Sequence, residues 1–534
     1  MSVRSYWGWG LADRFPDREG RQAMGQHATS LLGFDPPGIG DPVPLDSARV
    51  ATSRIAIPPA LTHVLKTDHD SRARHTYGRA YPDLVRGFFG DFGAAPDLVA
   101  FPESEADIAQ LMAWCAAEGY ALIPYGGGTS VVGGIEPPRE KWKGVVTLDV
   151  TRLDRVREVD PVSRAALIEA GATGPRLEAQ LARHQLTLRH YPQSFEHSTL
   201  GGWIATRAGG HFATQRTRID DFVEAVRMIT PSGLYQTRRL PSSGAGPSPE
   251  RLVLGSEGIF GVITEAWVRV MPRPEWRSRA AVSFDSLIRG AEAVRNIVQA
   301  GLAPSNCRVL DPVEAMLHGV RFDGRAVLML AFESSDHAES EALARAVAIA
   351  TKCGGVLDGE AKSEGPGTSS AAGGDPERWK NAFFQGPYLQ NVMVSLGVVA
   401  DTFETACTWD RFADVHAGIV GSVEAELRAR GVPGKVSCRI THAYPDGLAP
   451  YYTFLAPGRL DQTALLDLWS QLKDAASDAI FRLGATITHH HAVGRTHRPW
   501  YERERPAPFA AMLKAAKRAV DPKGILNPGV LFGD

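Results

Sequence analysis

Residues 124–134, here called the glycine loop, constrain the fold of this chain more than any other segment. They follow the apolar run 120–123, which predicts a short buried strand, and they contain five glycines within nine residues. Glycine adopts backbone conformations closed to other residues, so the N–H groups of such a loop can gather around an anion. Thr129 and Ser130 add hydroxyl donors. The pattern fits either a phosphate-binding cradle or a glycine-rich surface turn.

The glycine loop differs from two familiar nucleotide-binding motifs. It lacks the Lys-Ser/Thr pair of a P-loop, and Pro137 and Pro138 prevent the helix that follows a Rossmann turn. The chain has 534 residues, so we expect two or three domains. Its formal net charge of -2 gives no field that would attract nucleic acid, and we expect no nucleic-acid partner.

Cysteine usage and the two chain ends predict a cytoplasmic protein. The five cysteines are scattered singly, without the spacing of a metal site or of a disulfide framework, so we expect a reducing compartment and no metal. The first ten residues lack the apolar core of a signal peptide, and no apolar run is long enough to span a bilayer. The final residues do not form a Ser-Lys-Leu peroxisomal signal.

Strand and helix patterns alternate from residue 97 onward. Ser104 precedes an amphipathic pattern that predicts a helix to about residue 118, and a long helix is expected over 462–482. Repeated strand–helix units follow residue 274 and indicate a second α/β layer structure. The predicted α+β organisation is an N-terminal segment (1–93), a first domain (94–273), a cap domain (274–485) and a C-terminal segment (486–534).

Two further segments combine glycine with small or hydroxyl side chains. Residues 191–207 contain the pair Gly201-Gly202, and residues 255–264 place a glycine turn directly before a strand. Such backbone suits close passage beside a flat ligand, although each segment alone also fits a tight turn. Three such segments, in this order and at this spacing within one α+β domain, indicate a ligand-binding site more specifically than any one of them alone.

Together the three segments resemble the FAD-binding domain of the vanillyl-alcohol oxidase family. Residues 7–10, 488–494 and 521–528 extend the resemblance over nearly the whole chain, to the alkyldihydroxyacetone-phosphate synthase group of that family. The resemblance implies a two-domain α+β FAD-binding fold of the vanillyl-alcohol oxidase type. In that fold an α/β cap domain carries the substrate site, and the C-terminal segment returns to the flavin.

The resemblance implies FAD as the cofactor, with the glycine loop at its pyrophosphate. The loop contains no histidine of the kind that carries the flavin in covalently flavinylated relatives, so we expect non-covalent FAD. The implied FAD contacts are Pro124, Tyr125, Gly126, Gly127, Gly128, Thr129, Ser130, Tyr191, Pro192, Gln193, Ser194, Phe195, Glu196, His197, Ile204, Ala205, Thr206, Arg207, Glu257, Gly258, Ile259, Phe260, Gly261, Val262 and Ile263.

The implied reaction exchanges the acyl chain of acyl-dihydroxyacetone phosphate for a fatty alcohol, in ether-lipid synthesis, through an adduct of the substrate with the flavin N5. Such a reaction needs a proton shuttle, a site for a phosphate dianion and room for two long chains. We therefore expect a small-molecule or lipid-like substrate. Peripheral membrane contact and a homodimer are further expectations.

Tyr451 matches the acid/base tyrosine of the group. A phenol with an ordinary pKa of about 10 needs cationic neighbours to act as a base near neutral pH. The histidine run, His489, His490 and His491, is expected to supply them or to relay the proton. On residue pattern alone, Tyr451 also fits a strand aromatic and the histidines a loop or a metal site, although adjacent histidines on a strand point to opposite faces.

Arg308 matches an arginine that is important for activity in the group. Arginine suits a phosphate or a carboxylate because its planar guanidinium binds two oxygens at once. A surface ion pair with Asp311 or Glu314 is the alternative interpretation. Arg439 and His442, on a predicted strand, are further candidates for the substrate site.

Gln390 marks a departure from the group, because alignment places it where the group has a substrate-binding arginine. The lost charge-assisted hydrogen bond is worth about 1.5–3 kcal/mol. This departure favours a second hypothesis, an FAD-dependent dehydrogenase or oxidase of a D-2-hydroxy acid such as D-lactate or glycolate. A third hypothesis is a flavin-binding module without catalytic activity, against which the retained Tyr451, histidine run and Arg308 argue.

Overall fold

The computed structural model describes residues 3–367 and 386–533. Residues 368–385 of the predicted cap domain lie outside that part. The described chain forms a four-stranded sheet, a five-stranded sheet and a larger sheet of eight strands, which we call the cap sheet. None of the helices in this part is both long and apolar enough to cross a membrane. The boundaries of the four predicted segments stay a prediction.

The N-terminal segment packs on the cap sheet. Its helices are Arg18–Leu32, His69–Arg74 and Tyr81–Phe88, and its short strands Arg49–Val50 and Asp91–Phe92 pair in parallel. Tyr81 is fully buried, and its hydroxyl donates to the carbonyl of Val398 at 3.0 Å. The N-terminal segment therefore lies beside the cap strands, where it can contribute to a site.

The four-stranded sheet carries the glycine loop. Its strand Ala121–Tyr125 is buried, as the apolar run predicts, and the loop leaves directly from its end. The preceding helix, Glu105–Glu118, is capped by Ser104 and Asp107, which confirms the predicted helix start. In spatial order the strands are Leu65–Lys66, Leu98–Ala100, Val145–Asp149 and Ala121–Tyr125.

The five-stranded sheet packs the other two glycine segments. Strand Val262–Arg269 buries alternate residues, among them Thr264, Ala266 and Val268, because side chains alternate across a strand. The sheet's helices are Gly174–Ala182, Leu200–Thr206 and Pro249–Val253, and strands Leu186–Thr187 and Met271–Pro272 pair beside it. The spatial order is Gly233–Gln236, Val223–Thr230, Val262–Arg269, Ala165–Glu169 and Val156–Asp160.

All strand pairs of the cap sheet within the described residues are antiparallel. Its strands, in spatial order, are Val356–Glu364, Trp276–Phe284, Ala326–Ser334, Asn306–Leu310, Lys435–Ala443, Gly447–Pro457 and Val398–Glu404, with Cys407–Thr408 beside the sixth. The associated helices are Leu287–Gln299, Pro312–Leu317, Ser340–Lys352, Phe412–Ala429 and Gln462–Arg482. The last has the bounds that the sequence predicts.

The two faces of the cap sheet differ in chemistry, because successive side chains point to opposite faces. Apolar side chains on one face join the core formed with the helices, among them Cys307, Val309, Cys438, Tyr452 and Phe454. The alternate residues Arg308, Arg439 and Tyr451 belong to the other face. Residue alternation along three strands therefore presents a polar row away from the helices.

The C-terminal segment returns to the four-stranded sheet. After the helices Arg498–Glu504 and Ala507–Val520, the N–H of Leu122 donates to the carbonyl of Ile525 at 2.8 Å. The N–H of Asn527 in turn donates to the carbonyl of Leu122 at 3.0 Å. This segment thus extends the edge of the sheet from which the glycine loop leaves.

Candidate active site

A cavity of about 740 Å³ lies between the cap sheet and the sheets that carry the glycine segments. Its glycine-loop half is lined by the loop and by parts of residues 192–210 and 257–263. Its cap half is lined by the polar face of the cap sheet and by residues of the segment 386–393. The cavity is large enough for a cofactor and a substrate to face one another.

Glycine is required in the loop because the backbone packs directly on residues 197–199. A Cβ built on Gly127 would lie 2.0 Å from the carbonyl oxygen of His197, and one on Gly126 would lie 2.4 Å from the Thr199 hydroxyl. Gly128 has a φ of +60°, where side chains are strained. The loop therefore offers backbone to the cavity, as expected of an anion cradle.

Two buried groups beside the loop fit FAD. Arg79 lines the cavity and its backbone N–H donates to Ser130; burial lowers the pKa of its guanidinium to about 10, so it stays cationic at neutral pH. Asn527 also lines the cavity, and its Nδ2 donates to the carbonyls of Gly134 and Glu257. Its buried Oδ1 has no partner within the described protein. The Arg79 cation thus suits the pyrophosphate of FAD, and the Asn527 acceptor oxygen suits a ring that carries a hydrogen-bond donor.

The predicted cofactor residues divide into two sets. Those that line the cavity are Pro124, Tyr125, Gly126, Gly127, Gly128, Thr129, Ser130, Pro192, Gln193, Ser194, Ala205, Thr206, Glu257, Gly258, Gly261, Val262 and Ile263. Tyr191, Phe195, Glu196, His197, Ile204, Arg207, Ile259 and Phe260 are not among its lining residues.

The residues away from the cavity have structural contacts instead. Ile204, Ile259 and Phe260 belong to the hydrophobic core around the five-stranded sheet. Arg207 forms an ion pair with Asp220 at 2.8 Å. The sequence assigned whole segments to the cofactor, whereas the turns within them direct about two thirds of the residues to the cavity.

Arg308 and Arg439 lie together in the cap half, and both are buried. Arg439 forms an ion pair with Glu314, which also accepts from the Ser437 hydroxyl at 2.7 Å. Arg308 donates to the carbonyl of His211 at 3.1 Å, and burial, with Arg439 nearby, lowers its pKa to about 10. The expected alternative for Arg308, an ion pair at the surface, is wrong because its side chain is buried.

Tyr451 occupies the centre of the polar face. Its hydroxyl donates to the Thr402 hydroxyl at 2.9 Å, and the guanidinium of Arg439 lies 4.0 Å from the centre of its ring. Burial raises the pKa of Tyr451 above its ordinary value, and Arg439 opposes that rise. The phenol is therefore protonated and oriented at neutral pH.

Gln390 lines the cavity, but both ends of its amide are engaged within the protein. Its Nε2 donates to the carbonyl of Ala400 at 2.9 Å, and its Oε1 accepts from the indole of Trp9 at 3.1 Å. Asn391 bonds the backbone N–H and carbonyl of Trp9, each at 2.9 Å. Gln390 thus joins the N-terminal segment to the cap, which the sequence did not indicate.

The histidine run is folded around one carboxylate. The backbone N–H groups of His489, His490 and His491 donate to Glu404 at 2.6, 3.0 and 2.9 Å. Burial alone would raise the pKa of Glu404, but the histidine run and the Thr488 hydroxyl hold it well below its ordinary value. The run is a bend, so its side chains do not alternate as they would on a strand.

The histidines do not supply the cations expected for Tyr451. Burial lowers the pKa of His489 and His491 well below its ordinary value, and that of His490 also falls, so the rings are neutral at pH 7. Arg439 is the cation beside the phenol instead. His490 and His491 line the cavity, with ring centres 6.0 and 5.3 Å from that of Tyr451. His489 is not among the lining residues.

His442 lines the cavity between the two halves. Its Nε2 is 3.2 Å from the carbonyl of Gly210, and its Nδ1 is 3.0 Å from the Thr441 hydroxyl. Ring nitrogens of His442, His489 and His490 lie within 4.8 Å of one another. The absence of a metal therefore stays a prediction.

Sequence reasoning missed Arg79, Thr402, Glu404 and Asn527 as residues of the site, and it named Glu314 only as a surface partner of Arg308. Glu404 and Arg439 are both cross-strand partners of Tyr451, which becomes visible only when strand pairing is known. Arg79 and Asn527 approach the glycine loop from opposite ends of the chain. Asn527 belongs to a segment that carried the family resemblance, and that was its one signal in the sequence.

Comparison with known proteins agrees with this geometry. Residues 96–238 match the family described as FAD binding domain, and residues 273–531 match FAD linked oxidases, C-terminal domain. A solved alkyldihydroxyacetonephosphate synthase has a TM-score of 0.80 at 24% identity, covering 98% of each chain. A p-cresol methylhydroxylase structure has a TM-score of 0.68 at 14% identity, covering 88% of this chain and 94% of the other. The predicted fold is confirmed.

The fold and the matched domains define an FAD-dependent enzyme with the architecture of the FAD-linked oxidases. Among such enzymes, the chain is similar to the alkyldihydroxyacetonephosphate synthases of Dictyostelium discoideum and Trypanosoma brucei brucei. Each is 29% identical over 88% of this chain and 78% of the relative. A mitochondrial D-lactate dehydrogenase of Arabidopsis thaliana is less similar, at 25% identity over the same shares. The resemblance and the FAD cofactor are thereby confirmed.

Proposed function

We propose that the protein exchanges the acyl chain of acyl-dihydroxyacetone phosphate for a fatty alcohol, forming an ether bond. The observation that carries this proposal is that the buried residues Arg308, Arg439 and Tyr451, with the half-buried His490, face the glycine loop across one cavity. The similarity to alkyldihydroxyacetonephosphate synthases over 88% of the chain supports it. We place the activity in ether-lipid synthesis.

The residues that would hold FAD are the glycine loop, Arg79 and Asn527. Loop N–H groups and the Arg79 guanidinium suit the pyrophosphate, and Asn527 offers an acceptor oxygen. When bound, the flavin supplies the redox-active group on which the family's chemistry depends. Non-covalent attachment agrees with the absence of a histidine from the glycine loop.

The headgroup anion binds at Arg308 in this proposal. Arg439 is already compensated by Glu314, and Gln390 is engaged with Trp9 and Ala400. Arg308 is 5% exposed, lines the cavity and donates to the carbonyl of His211, so its guanidinium lies within reach of an anion in the cavity. Desolvation of such a cation strengthens its attraction for the incoming anion.

Tyr451 and the histidines have separate roles in proton transfer. The protonated phenol donates to an oxygen of the departing carboxylate, since its raised pKa keeps the proton in place until charge develops. A neutral imidazole of His490 or His491 can accept the alcohol proton. The carboxylic acid formed beside Tyr451 is far more acidic than a phenol, so it returns that proton to the Tyr451 oxygen and leaves as carboxylate. Alcohol and ester thus become ether, carboxylate and the one proton held by the histidine, so atoms and charge balance.

The far part of the cap half suits a long alkyl chain. Met24, Leu32, Leu317, Met393 and Leu455 line it and provide an apolar wall. Burial of each methylene against such a wall contributes about 0.8 kcal/mol, which favours a lipid over a short substrate.

Peripheral membrane contact is part of the proposal. Leu389 lines the cavity and is 42% exposed, so the cavity reaches the surface there. Val320 and Phe322, which follow the lining residues Leu317 and His318, are 40% and 70% exposed. We expect these side chains to bring the cavity to a lipid surface, and Phe322→Asp to reduce co-sedimentation with phospholipid vesicles. The cytoplasmic location and the homodimer stay predictions, which fractionation and light scattering would check.

A second function, oxidation of a D-2-hydroxy acid, is not favoured, because the chain is less similar to a D-lactate dehydrogenase than to alkyldihydroxyacetonephosphate synthases and because Gln390 is engaged with Trp9 and Ala400. Purified holoenzyme, given acyl-dihydroxyacetone phosphate and a fatty alcohol, should form the ether product and free fatty acid in equal amounts. D-lactate and glycolate should not reduce an added dye. Reduction of the dye without any ether product would contradict the synthase function and support oxidation of a D-2-hydroxy acid.

The variant Arg308→Lys tests the headgroup site. Lysine keeps the charge but loses the two-pronged guanidinium, so we expect KM for acyl-dihydroxyacetone phosphate to rise about tenfold, with FAD content unchanged. Arg277→Lys is the matched control, because Arg277 is a half-exposed arginine of the cap sheet that does not line the cavity. An unchanged KM in Arg308→Lys would move the anion site elsewhere.

A further inference from the structure

A second recess of about 470 Å³ lies outside the active-site cavity. Tyr444 is one of its lining residues, together with Thr408, Arg411 and Asp446, which are exposed to solvent. Tyr444 follows the strand Lys435–Ala443 and is half-buried, with its backbone N–H bonded to the carbonyl of Gly447. Tyr444 is therefore a residue that joins the recess to the protein interior.

The Tyr444 hydroxyl leads back to the active site through two imidazoles. It lies 2.7 Å from His489 Nε2, and His489 Nδ1 lies 3.0 Å from His490 Nδ1. His490 lines the active-site cavity, and His489 lies between the two spaces. Each separation is within hydrogen-bond distance, so the three side chains form a continuous series of donors and acceptors.

The proposed reaction releases one proton for each ether bond formed, inside a largely buried cavity. We infer that His490, His489 and Tyr444 conduct this proton to the second recess, and that Tyr444 is a positioning residue through which the proton leaves. This inference rests on the proposed function, because an exchange of alcohol for carboxylate requires the release. No assigned role of the site accounts for the Tyr444–His489 contact.

The transfer balances at each group. His490, having accepted the proton, donates from Nδ1 to Nδ1 of His489; His489 donates its Nε2 proton to the Tyr444 oxygen; and Tyr444 donates its hydroxyl proton to water in the recess. Each group gains one proton and loses one, with no change of oxidation state. The Thr217 hydroxyl, 3.1 Å from that of Tyr444, helps to hold its orientation.

The charges around the series are arranged for a transient cation. Glu404 lies beneath the histidine run and is anionic, which stabilises an imidazolium while it exists. Other titratable groups face the series as well: His442, Arg218 and Asp221 near Tyr444 and His489, and Arg308, Arg439, Tyr451 and His491 near His490. The cation Arg218 disfavours a lasting charge on His489, so the proton passes on instead of remaining there.

The test is Tyr444→Phe in the holoenzyme, with Tyr235→Phe as the matched control. Tyr235 lies on the five-stranded sheet, and its hydroxyl bonds the carbonyl of Pro249. In dilute buffer we expect kcat of Tyr444→Phe to fall on the order of tenfold with KM unchanged, because proton transfer becomes limiting. Rising concentrations of imidazole buffer should restore it, whereas the wild type and Tyr235→Phe should not respond to buffer.

A fall in kcat that imidazole buffer does not restore, or no fall, would overturn the inference. Loss of wild-type activity after treatment with a chelator would also overturn it, by assigning the histidines to a metal. A wild type without synthase activity would instead contradict the proposed function.

A spectroscopic measurement separates these outcomes. In ¹⁵N-histidine NMR, assigned with His489→Asn, Tyr444→Phe should shift the ring nitrogens of both His489 and His490. A shift confined to His489 would show that Tyr444 is not coupled to His490, and it would contradict the inference whatever the activity.

Discussion

The two halves of the cavity are built from different parts of the polypeptide. The glycine-loop half presents mainly backbone, supplied by short segments in which neighbouring residues act together. The cap half presents side chains from four paired strands and from the histidine run, which lie far apart in the sequence. A site made of backbone requires that atoms such as a Cβ be absent. A site made of side chains depends on strand register instead.

The largest expected effect tests the backbone half. Gly127→Val should abolish FAD binding, because a Cβ there would lie 2.0 Å from the carbonyl oxygen of His197. The control Gly244→Ala adds a Cβ with nothing within 4 Å. Flavin absorbance of the purified variants measures the result. A Gly127→Val protein that is still yellow would show that the loop does not hold the cofactor.

Tyr451→Phe tests the side-chain half and should leave FAD bound. We expect turnover to fall by about a hundredfold, as is typical for removal of a general acid. Tyr452→Phe is the control, since Tyr452 belongs to the opposite face of the same strand and packs in the core. Steady-state kinetics distinguish the two. Comparable activity in both variants would reduce Tyr451 to a packing residue.

Glu404→Gln tests whether the carboxylate holds the histidine run in place. Three backbone N–H groups would lose a charged acceptor, so we expect the free energy of unfolding at pH 7 to fall by about 2 kcal/mol. Because the folded-state pKa of Glu404 is depressed, its contribution is present above the ordinary value of 4.5 and is lost as pH falls below it.

Denaturant titration at several pH values measures this contribution. The wild type should lose stability below pH 4.5, and Glu404→Gln should lose less over the same range. Equal slopes for the two proteins would mean that another carboxylate is responsible.

The smallest expected effect concerns Gln390. Gln390→Leu removes its bonds to Trp9 and Ala400, so we expect a loss of about 1–2 kcal/mol in the free energy of unfolding. KM for acyl-dihydroxyacetone phosphate should stay the same, because neither bond involves the substrate. A large rise in KM would return Gln390 to the headgroup site.

The difference between the backbone half and the side-chain half of the cavity explains which features the sequence could predict. The glycine loop, the capped helix after Ser104 and the helix Gln462–Arg482 depend on neighbouring residues, and all were foreseen. The neutral state of the histidines and the role of Glu404 depend on burial and strand pairing. Gln390 was correctly placed at the cavity, but its partner Trp9 lies 381 residues away.

The return of the C-terminal segment has a consequence for the synthesis of this protein on the ribosome. Asn527 and Ile525 complete the sheet edge beside the glycine loop, and Glu257 accepts from the N–H groups of Val493 and Gly494. The glycine loop is translated about four hundred residues before these partners. A nascent chain therefore cannot close its cofactor pocket until residue 527 has left the ribosome, long after the glycine loop has been made.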